Sequence, residues 1–230
     1  MNWWVHYLYQ EGRITELLSW AFWVIFSITM HELAHGWAAI RQGDDTPRRL
    51  GRMTMNPLVH MGPWSLLMFA LIGIAWGAMP VDPSRFRNRR QGRIFVSAAG
   101  PAMNIVLSFI TLTMLIPWLA FGPQNTPVFY QNVTIFLWTG GWLNIVLALF
   151  NLLPIPPLDG SSILSGLSFR AYQFYQNPRA QMIGMFLVLV VFLTGCFSIV
   201  FAVCGAVAGL YVDLGSMILG GPSVFDVIRP

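Results

Sequence analysis

Two histidines and a glutamate stand close together near the start of the chain, in the segment MHELAHG at 30–36. On a helix, His31 and His35 are four positions apart, so both imidazoles project from one face and can bind one metal ion. Glu32 lies next to them around the helix, near enough to act on water held by that metal. The spacing therefore predicts a metal centre, and the alternative is a hydrogen-bonded packing cluster.

The residues before this motif are almost entirely apolar, as in WAFWVIFSITM at 20–30. The chain of 230 residues is 56% hydrophobic and only 10% charged, which is typical of a multi-pass membrane protein rather than a soluble domain. Ionisable side chains are costly inside a membrane and are kept there mainly for function. This environment favours the metal centre over the packing cluster.

Four long apolar stretches are candidates for membrane crossing, because a bilayer core requires roughly 20 residues of helix. They lie at about 14–30, 94–116, 133–153 and 181–212. As one helix, the last stretch would be about 48 Å long, whereas the bilayer core is roughly 30 Å thick. We expect it to be tilted or broken, with Gly195 and Gly205 as candidate break points. Cys196 and Cys204 lie in the same stretch and are expected to be packing residues.

Arginines cluster in two loops, and by the positive-inside rule both loops face the cytoplasm. The clusters are Arg41, Arg48, Arg49 and Arg52, and Arg85, Arg87, Arg89, Arg90 and Arg93. The second cluster directly precedes an apolar helix and lacks interleaved aromatic residues beyond Phe86, so we expect no nucleic-acid partner. His31 is ten residues before Arg41, roughly 15 Å of helix inside the cytoplasmic boundary.

The apolar segment at 58–79 lies between these two basic loops. A single crossing would place one of the loops on the outer side of the membrane. The glycines and prolines of the segment permit a re-entrant or membrane-lying hairpin, which returns the chain to its starting face. We expect the hairpin, and a plain span that breaks the charge rule is the alternative.

A catalytic zinc usually has three protein ligands and one open position, so a third ligand is needed. Asp159 is the candidate, because it follows an apolar helix and the stretch NLLPIPPLDG at 151–160, which ends at the same face as the histidines. Prolines prevent helix there and favour extended backbone. Such backbone is tolerated in a membrane where it lines a cavity, and residues 152–157 are expected to pair with an extended substrate peptide. The alternative is a turn in which Asp159 caps the next helix.

Four motifs together resemble the site-2 protease family of intramembrane zinc metalloproteases. They are HELAHG at 31–36, GRMTMNPLVHMGP at 51–63, MPVDPSRFRNRRQGRIFVSAAGPAMN at 79–104 and FNLLPIPPLDG at 150–160. The resemblance covers about 14–165. It implies a peptidase with one Zn²⁺ ion that cleaves transmembrane segments of membrane proteins, usually in regulated intramembrane proteolysis.

The resemblance also implies roles for single residues. His31, His35 and Asp159 correspond to the three metal ligands and Glu32 to the general base. Asn151 corresponds to an asparagine expected to position the peptide carbonyl or steady the oxyanion.

Asn104 resembles a second family asparagine and is counted with Glu32 and Asn151 among the predicted catalytic residues. Close helix packing around Gly100 and Ala102 is the alternative explanation for it. His60 matches a histidine of the small-protein branch, and we expect a surface or core role for it.

The sequence predicts an all-α multi-pass membrane protein, a bundle of about 4–6 transmembrane helices with a re-entrant or membrane-associated hairpin and a proline-rich extended segment at the active site. We expect one peptidase domain over 1–230, with a catalytic core at about 14–165 and C-terminal helices at about 180–220. The expected partners are a transmembrane protein or peptide substrate and the lipid bilayer. The expected location is the cell membrane, with the site toward the cytoplasm.

Two other functions use the same residues. A metal transporter would carry zinc across the membrane and would tolerate Glu32→Gln. An inactive relative would bind membrane helices without cutting them, but such a protein has no need of the glutamate. A prenyl-protein peptidase with a glutamate ligand on a later helix is excluded, because no glutamate follows Glu32.

Overall fold

The structure is a computed structural model that describes residues 13–194 and 197–228. The described residues form ten α-helices, one short 3₁₀ turn and no strand, which confirms the all-α prediction. The helices are α1 (Ile14–Arg41), α2 (Thr46–Arg49), α3 (Pro57–Ile72), α4 (Arg89–Phe121), α5 (Pro127–Asn151), α6 (Asp159–Leu167), α7 (Phe169–Tyr175), α8 (Pro178–Leu193), α9 (Phe197–Ile218) and α10 (Val224–Ile228).

Four of these helices are long and apolar enough to cross a membrane: α1, α4, α5 and, over Ser198–Ile218, α9. The chain is a multi-pass membrane protein. The long stretch predicted at 181–212 is broken, because α8 ends at Leu193 and α9 begins at Phe197. Of the two candidate break points, Gly195 lies outside the described residues, as does Cys196, and Gly205 lies within α9. Cys204 is a free thiol buried in the bundle.

Helices α1, α4 and α5 pack closely because glycines stand at their crossings. The ring of Trp23 lies where a side chain on Gly140 would project, and Leu112 occupies the same place over Gly141. Without side chains at these positions, the helix backbones approach each other closely, as is usual in membrane bundles. The three helices thus form one closely packed unit around the HELAH segment of α1.

Helix α3 and the residues that follow it form a hairpin. Gly73 ends the helix in the left-handed conformation, with φ of 78°, which only glycine adopts readily. The chain then runs back along α3: the Trp76 amide donates to Ser65 Oγ at 2.8 Å and the Ala78 amide donates to the His60 carbonyl at 3.0 Å. The segment at 58–79 therefore returns to the side on which it starts, as the charge pattern predicts.

The two basic loops at the ends of this hairpin are joined by Asp44. This side chain is fully buried, and its carboxylate accepts the backbone amides of Thr46 at 3.0 Å and Asp82 at 2.7 Å. The Arg87 amide adds a bond of 2.7 Å to the Gln42 carbonyl. The end of α1 and the end of the hairpin are thereby held together below the HELAH segment.

Candidate metal centre

The side chains of His31, His35 and Asp159 converge on one point. His31 Nε2 lies 2.9 Å from His35 Nε2, and Asp159 Oδ2 lies 3.1 Å from the first and 3.3 Å from the second. Donor atoms around a tetrahedral zinc with bonds of 2.0–2.1 Å are about 3.3 Å apart. The three atoms therefore have nearly the spacing of zinc ligands.

The chemistry of these atoms also fits a cation. His35 Nδ1 lies 2.7 Å from the Val96 carbonyl, which can only accept, so Nδ1 carries a proton, and in the neutral ring Nε2 presents a lone pair. Asp159 Oδ2 is buried and has no hydrogen-bond partner. A buried carboxylate oxygen facing imidazole lone pairs is unfavourable unless a positive charge lies between them. The residues present thus fit a bound divalent metal.

Asp159 is positioned by the start of α6, of which it is the first residue. Gly160 packs directly on the C-terminal end of α5, where a Cβ atom would clash with the carbonyl oxygens of Leu152 and Leu153. At the other end of α6, Arg90 donates to the carbonyls of Gly166 at 2.7 Å and Leu167 at 2.5 Å. These contacts fix α6 against α4 and α5 and so fix the direction of its first side chain.

The proline-rich segment between α5 and α6 is not helical, as predicted, but it is bent into consecutive turns. The amide of Ile155 donates to the Leu153 carbonyl at 2.8 Å, and the amide of Leu158 donates to the Ile155 carbonyl at 2.9 Å. The prolines have no amide hydrogen. The three amides of 152–157 are therefore all used within the chain, and an extended peptide would have to bond to the carbonyl oxygens of this segment. Pairing with a substrate strand stays a prediction.

Glu32 is buried beside the two histidines, with 7% of its surface exposed. The returning part of the hairpin covers it: a Cβ atom on Gly77 would lie 2.6 Å from Glu32 Oε1 and 2.8 Å from Ile28. On the neighbouring flank of α1, a Cβ atom on Gly100 of α4 would lie 2.5 Å from His31 Nε2. The hairpin and α4 therefore enclose the HELAH side chains from two directions.

The predicted catalytic asparagines lie in different places. Asn104 is fully buried, and its Oδ1 lies 2.7 Å from His31 Nδ1, on the side of the ring away from Asp159. Asn151 ends α5, and its side-chain amide donates to the Leu147 carbonyl of the same helix at 2.9 Å. The structure thus brings Asn104 to the Nδ1 side of the His31 ring, while Asn151 bonds within its own helix. Their catalytic roles stay predictions.

His60 is buried, in agreement with the expected core role. Its Nε2 lies 2.7 Å from the Thr54 carbonyl, which accepts a hydrogen from this nitrogen. Asn144 was not singled out from the sequence, although it is fully buried and bonds to Asn104 at 2.8 Å. The available signal was its position as a polar residue in an apolar helix, the same signal that marks Asn104.

The model of the family described as Peptidase family M50 matches residues 19–129 and 119–195 of this chain. The protein YwhC of Bacillus subtilis is 38% identical over 175 residues, which cover 74% of this chain and 78% of the relative. Rip2 of Mycolicibacterium smegmatis is 33% identical over 163 residues, which cover 68% of this chain and 57% of the relative.

A more distant relative is the zinc metalloprotease MJ0392 of Methanocaldococcus jannaschii. It is 24% identical over 184 residues, which cover 77% of this chain and 44% of the relative. The names of YwhC and Rip2 also describe zinc metalloproteases. No solved structure matches the chain.

Proposed function

The chain belongs to peptidase family M50, the site-2 protease family of zinc metalloproteases, and from this we propose that it hydrolyses peptide bonds in or near transmembrane segments of other membrane proteins. The observation that carries the proposal is the convergence of His31, His35 and Asp159 beside Glu32 on a helix of membrane-spanning length. A peptidase of soluble substrates has no need of such a location. A peptidase whose substrate is held within the bilayer does need its catalytic residues there.

In the proposed reaction, Glu32 is the general base. It accepts a proton from the attacking water and later delivers it to the nitrogen of the broken peptide bond. A zinc ion held by His31, His35 and Asp159 would supply a Lewis acid that polarises water and the scissile carbonyl. The burial of Glu32 against Gly77 favours one orientation of its carboxylate, which suits a group that transfers a proton in both directions.

Asn151 is the proposed donor to the developing oxyanion, a class of contact that contributes roughly 3 kcal/mol in a dry site. For that role its amide must exchange the bond with Leu147 for one with the substrate. A helical substrate hides its peptide groups, so a few residues must unwind before the carbonyl is accessible.

We propose the same catalytic core, about 14–165, and the same cytoplasm-facing site in the cell membrane that the charge pattern predicts. Release of a cytoplasmic factor by regulated intramembrane proteolysis is the proposed outcome.

The test uses the purified full chain in detergent and in liposomes with a single-span membrane protein as substrate. Wild type, Glu32→Gln and Asp159→Asn are compared for zinc content and for cleavage within the transmembrane segment, located by mass spectrometry. We expect Glu32→Gln to bind zinc and to lose activity by roughly 100-fold or more. Asp159→Asn should lose both zinc and activity.

Glu16→Gln is the matched control, because Glu16 lies on the same helix and pairs with Arg13 at its far end. It should cleave as the wild type does. Cleavage by Glu32→Gln at the wild-type rate would refute the proposal. Zinc uptake into liposomes that is unaffected by Glu32→Gln would favour a transporter instead.

A further inference from the structure

A chain of three polar side chains runs from the metal centre into the middle of the bundle. It passes from His31 to Asn104 at 2.7 Å and from Asn104 to Asn144 at 2.8 Å. Asn144 in turn donates to Ser27 Oγ at 2.9 Å and to the Gly140 carbonyl at 2.8 Å. The two asparagines and Ser27 are fully buried.

The Gly140 carbonyl sets the direction of every bond in this chain, because a backbone carbonyl can only accept. The amide nitrogen of Asn144 must therefore face Gly140, and it gives its second hydrogen to Ser27. That leaves Asn144 Oδ1 as the acceptor toward Asn104, so the nitrogen of Asn104 faces Asn144 and its oxygen faces His31. Reversing either amide would bring two oxygens together.

These bond directions determine which ring nitrogen of His31 carries the hydrogen. Because the oxygen of Asn104 can only accept, His31 Nδ1 must carry a hydrogen, and in the neutral ring Nε2 then presents a lone pair toward His35 and Asp159. This is the form of imidazole that binds a metal through Nε2. Second partners of this kind orient metal-bound histidines and raise their affinity for the ion.

We propose that Asn144 is a positioning residue for the metal centre, which acts through Asn104 to hold His31 in the tautomer that binds zinc. The proposal rests on the zinc site of the proposed function. The proposal also explains why Asn104 and Asn144 lie inside an apolar bundle, where polar side chains are costly and are kept mainly for function. Asn104 accordingly acts behind His31 and not at the reacting atoms.

The first test measures zinc affinity by competition with a chelator. Asn144→Leu keeps the approximate volume of the side chain but removes the acceptor for Asn104. The amide of Asn104 is then free to turn its nitrogen toward His31, which favours the tautomer with hydrogen on Nε2. We expect zinc to bind roughly 10- to 100-fold more weakly.

Thr134→Val is the matched control. Thr134 is a fully buried polar residue on the same helix, and its hydroxyl donates to the Tyr130 carbonyl of that helix at 2.8 Å. The control loses a buried hydrogen bond without touching the chain to His31. It should retain the zinc affinity of the wild type.

The second test is rescue. In the Asn144→Leu background, Asn104→Asp places a group at position 104 that has only acceptor oxygens, so His31 Nδ1 must again carry the hydrogen. We expect this double variant to recover most of the lost zinc affinity. A loss that Asn104→Asp does not rescue would show a purely structural role for Asn144 and would overturn the proposal, as would unchanged zinc affinity in Asn144→Leu.

The third test requires neither zinc nor activity. In zinc-free protein labelled with ¹⁵N-histidine, the His31 signal is identified by its loss in His31→Gln. We expect the ring hydrogen of His31 to be on Nδ1 in the wild type. Hydrogen on Nε2 would overturn it, even if Asn144→Leu does not fold. Since this measurement is independent of cleavage, it separates this inference from the proposed function.

Discussion

Gly100 of α4 lies directly against His31 of α1: a Cβ atom at position 100 would be 2.5 Å from His31 Nε2. The same atom would clash with His35 Nε2. The space in front of both ring nitrogens is therefore available only because residue 100 has no side chain.

We predict that Gly100→Ala weakens zinc binding. The added methyl group must displace both imidazoles, and overpacking of this kind costs about 1–3 kcal/mol, equivalent to roughly 5- to 150-fold in affinity. Chelator competition on the purified protein measures the change. Gly205→Ala is the control, because Gly205 is also helical and has no atom within 4 Å of its added Cβ. Equal zinc affinity in the two variants would contradict the prediction.

We predict that Gly77→Ala separates zinc binding from catalysis. Its Cβ atom would lie 2.6 Å from Glu32 Oε1 and 2.7 Å from Glu32 Cγ, so it must push the carboxylate from its place. The three atoms nearest to the added Cβ belong to Glu32 and Ile28, not to the three proposed ligands. Cleavage should fall by roughly 100-fold or more while the zinc content stays at the wild-type level, and loss of zinc would show that the hairpin supports the ligands as well.

We predict that Gly160→Ala loses both stability and zinc. Here the added Cβ would meet the carbonyls of Leu152 and Leu153, which are backbone atoms and cannot move aside as a flexible side chain can. The start of α6 must shift, and Asp159 shifts with it. The melting temperature and zinc content should both decrease, whereas a decrease in melting temperature alone would mean that Asp159 keeps its position.

We predict that Arg90→Gln loosens the far end of α6. The guanidinium makes two charge-assisted bonds to the carbonyls of Gly166 and Leu167, and losing them should cost about 1 kcal/mol because Arg90 is exposed. Arg89→Gln is the control, because Arg89 is the neighbouring arginine of the same helix and is exposed like Arg90. Thermal unfolding in detergent compares the variants. A similar small change in both would show that the two bonds of Arg90 do not stabilise the end of α6.

The sequence was most informative where one physical constraint acts alone. Helical spacing places His31 and His35 on one face, and the parity of the basic loops predicts the hairpin at 58–79 without any knowledge of its contacts. The length of the stretch at 181–212 predicts that it is tilted or broken, and it is broken after α8.

The sequence was less informative where several tertiary contacts together determine the conformation or the hydrogen-bond partner of a residue. The prolines before Asp159 prevent helix, but turns satisfy their neighbours' amides within the segment, and composition cannot distinguish a bent from a straight backbone. The role of Asn144 depends on which carbonyl its amide meets. That partner is set by the register of α5 against α1 and α4, which no local pattern encodes.

The absence of side chains at both Gly77 and Gly100 has a consequence for motion. We expect a helix packed this closely against main chain on two flanks to resist rolling about its axis, because rotation would bring an imidazole or the carboxylate against main-chain atoms. The two imidazoles and the Glu32 carboxylate are thus oriented during folding. In the proposed reaction, binding of a substrate need not arrange these three groups, and this prior ordering would lower the barrier.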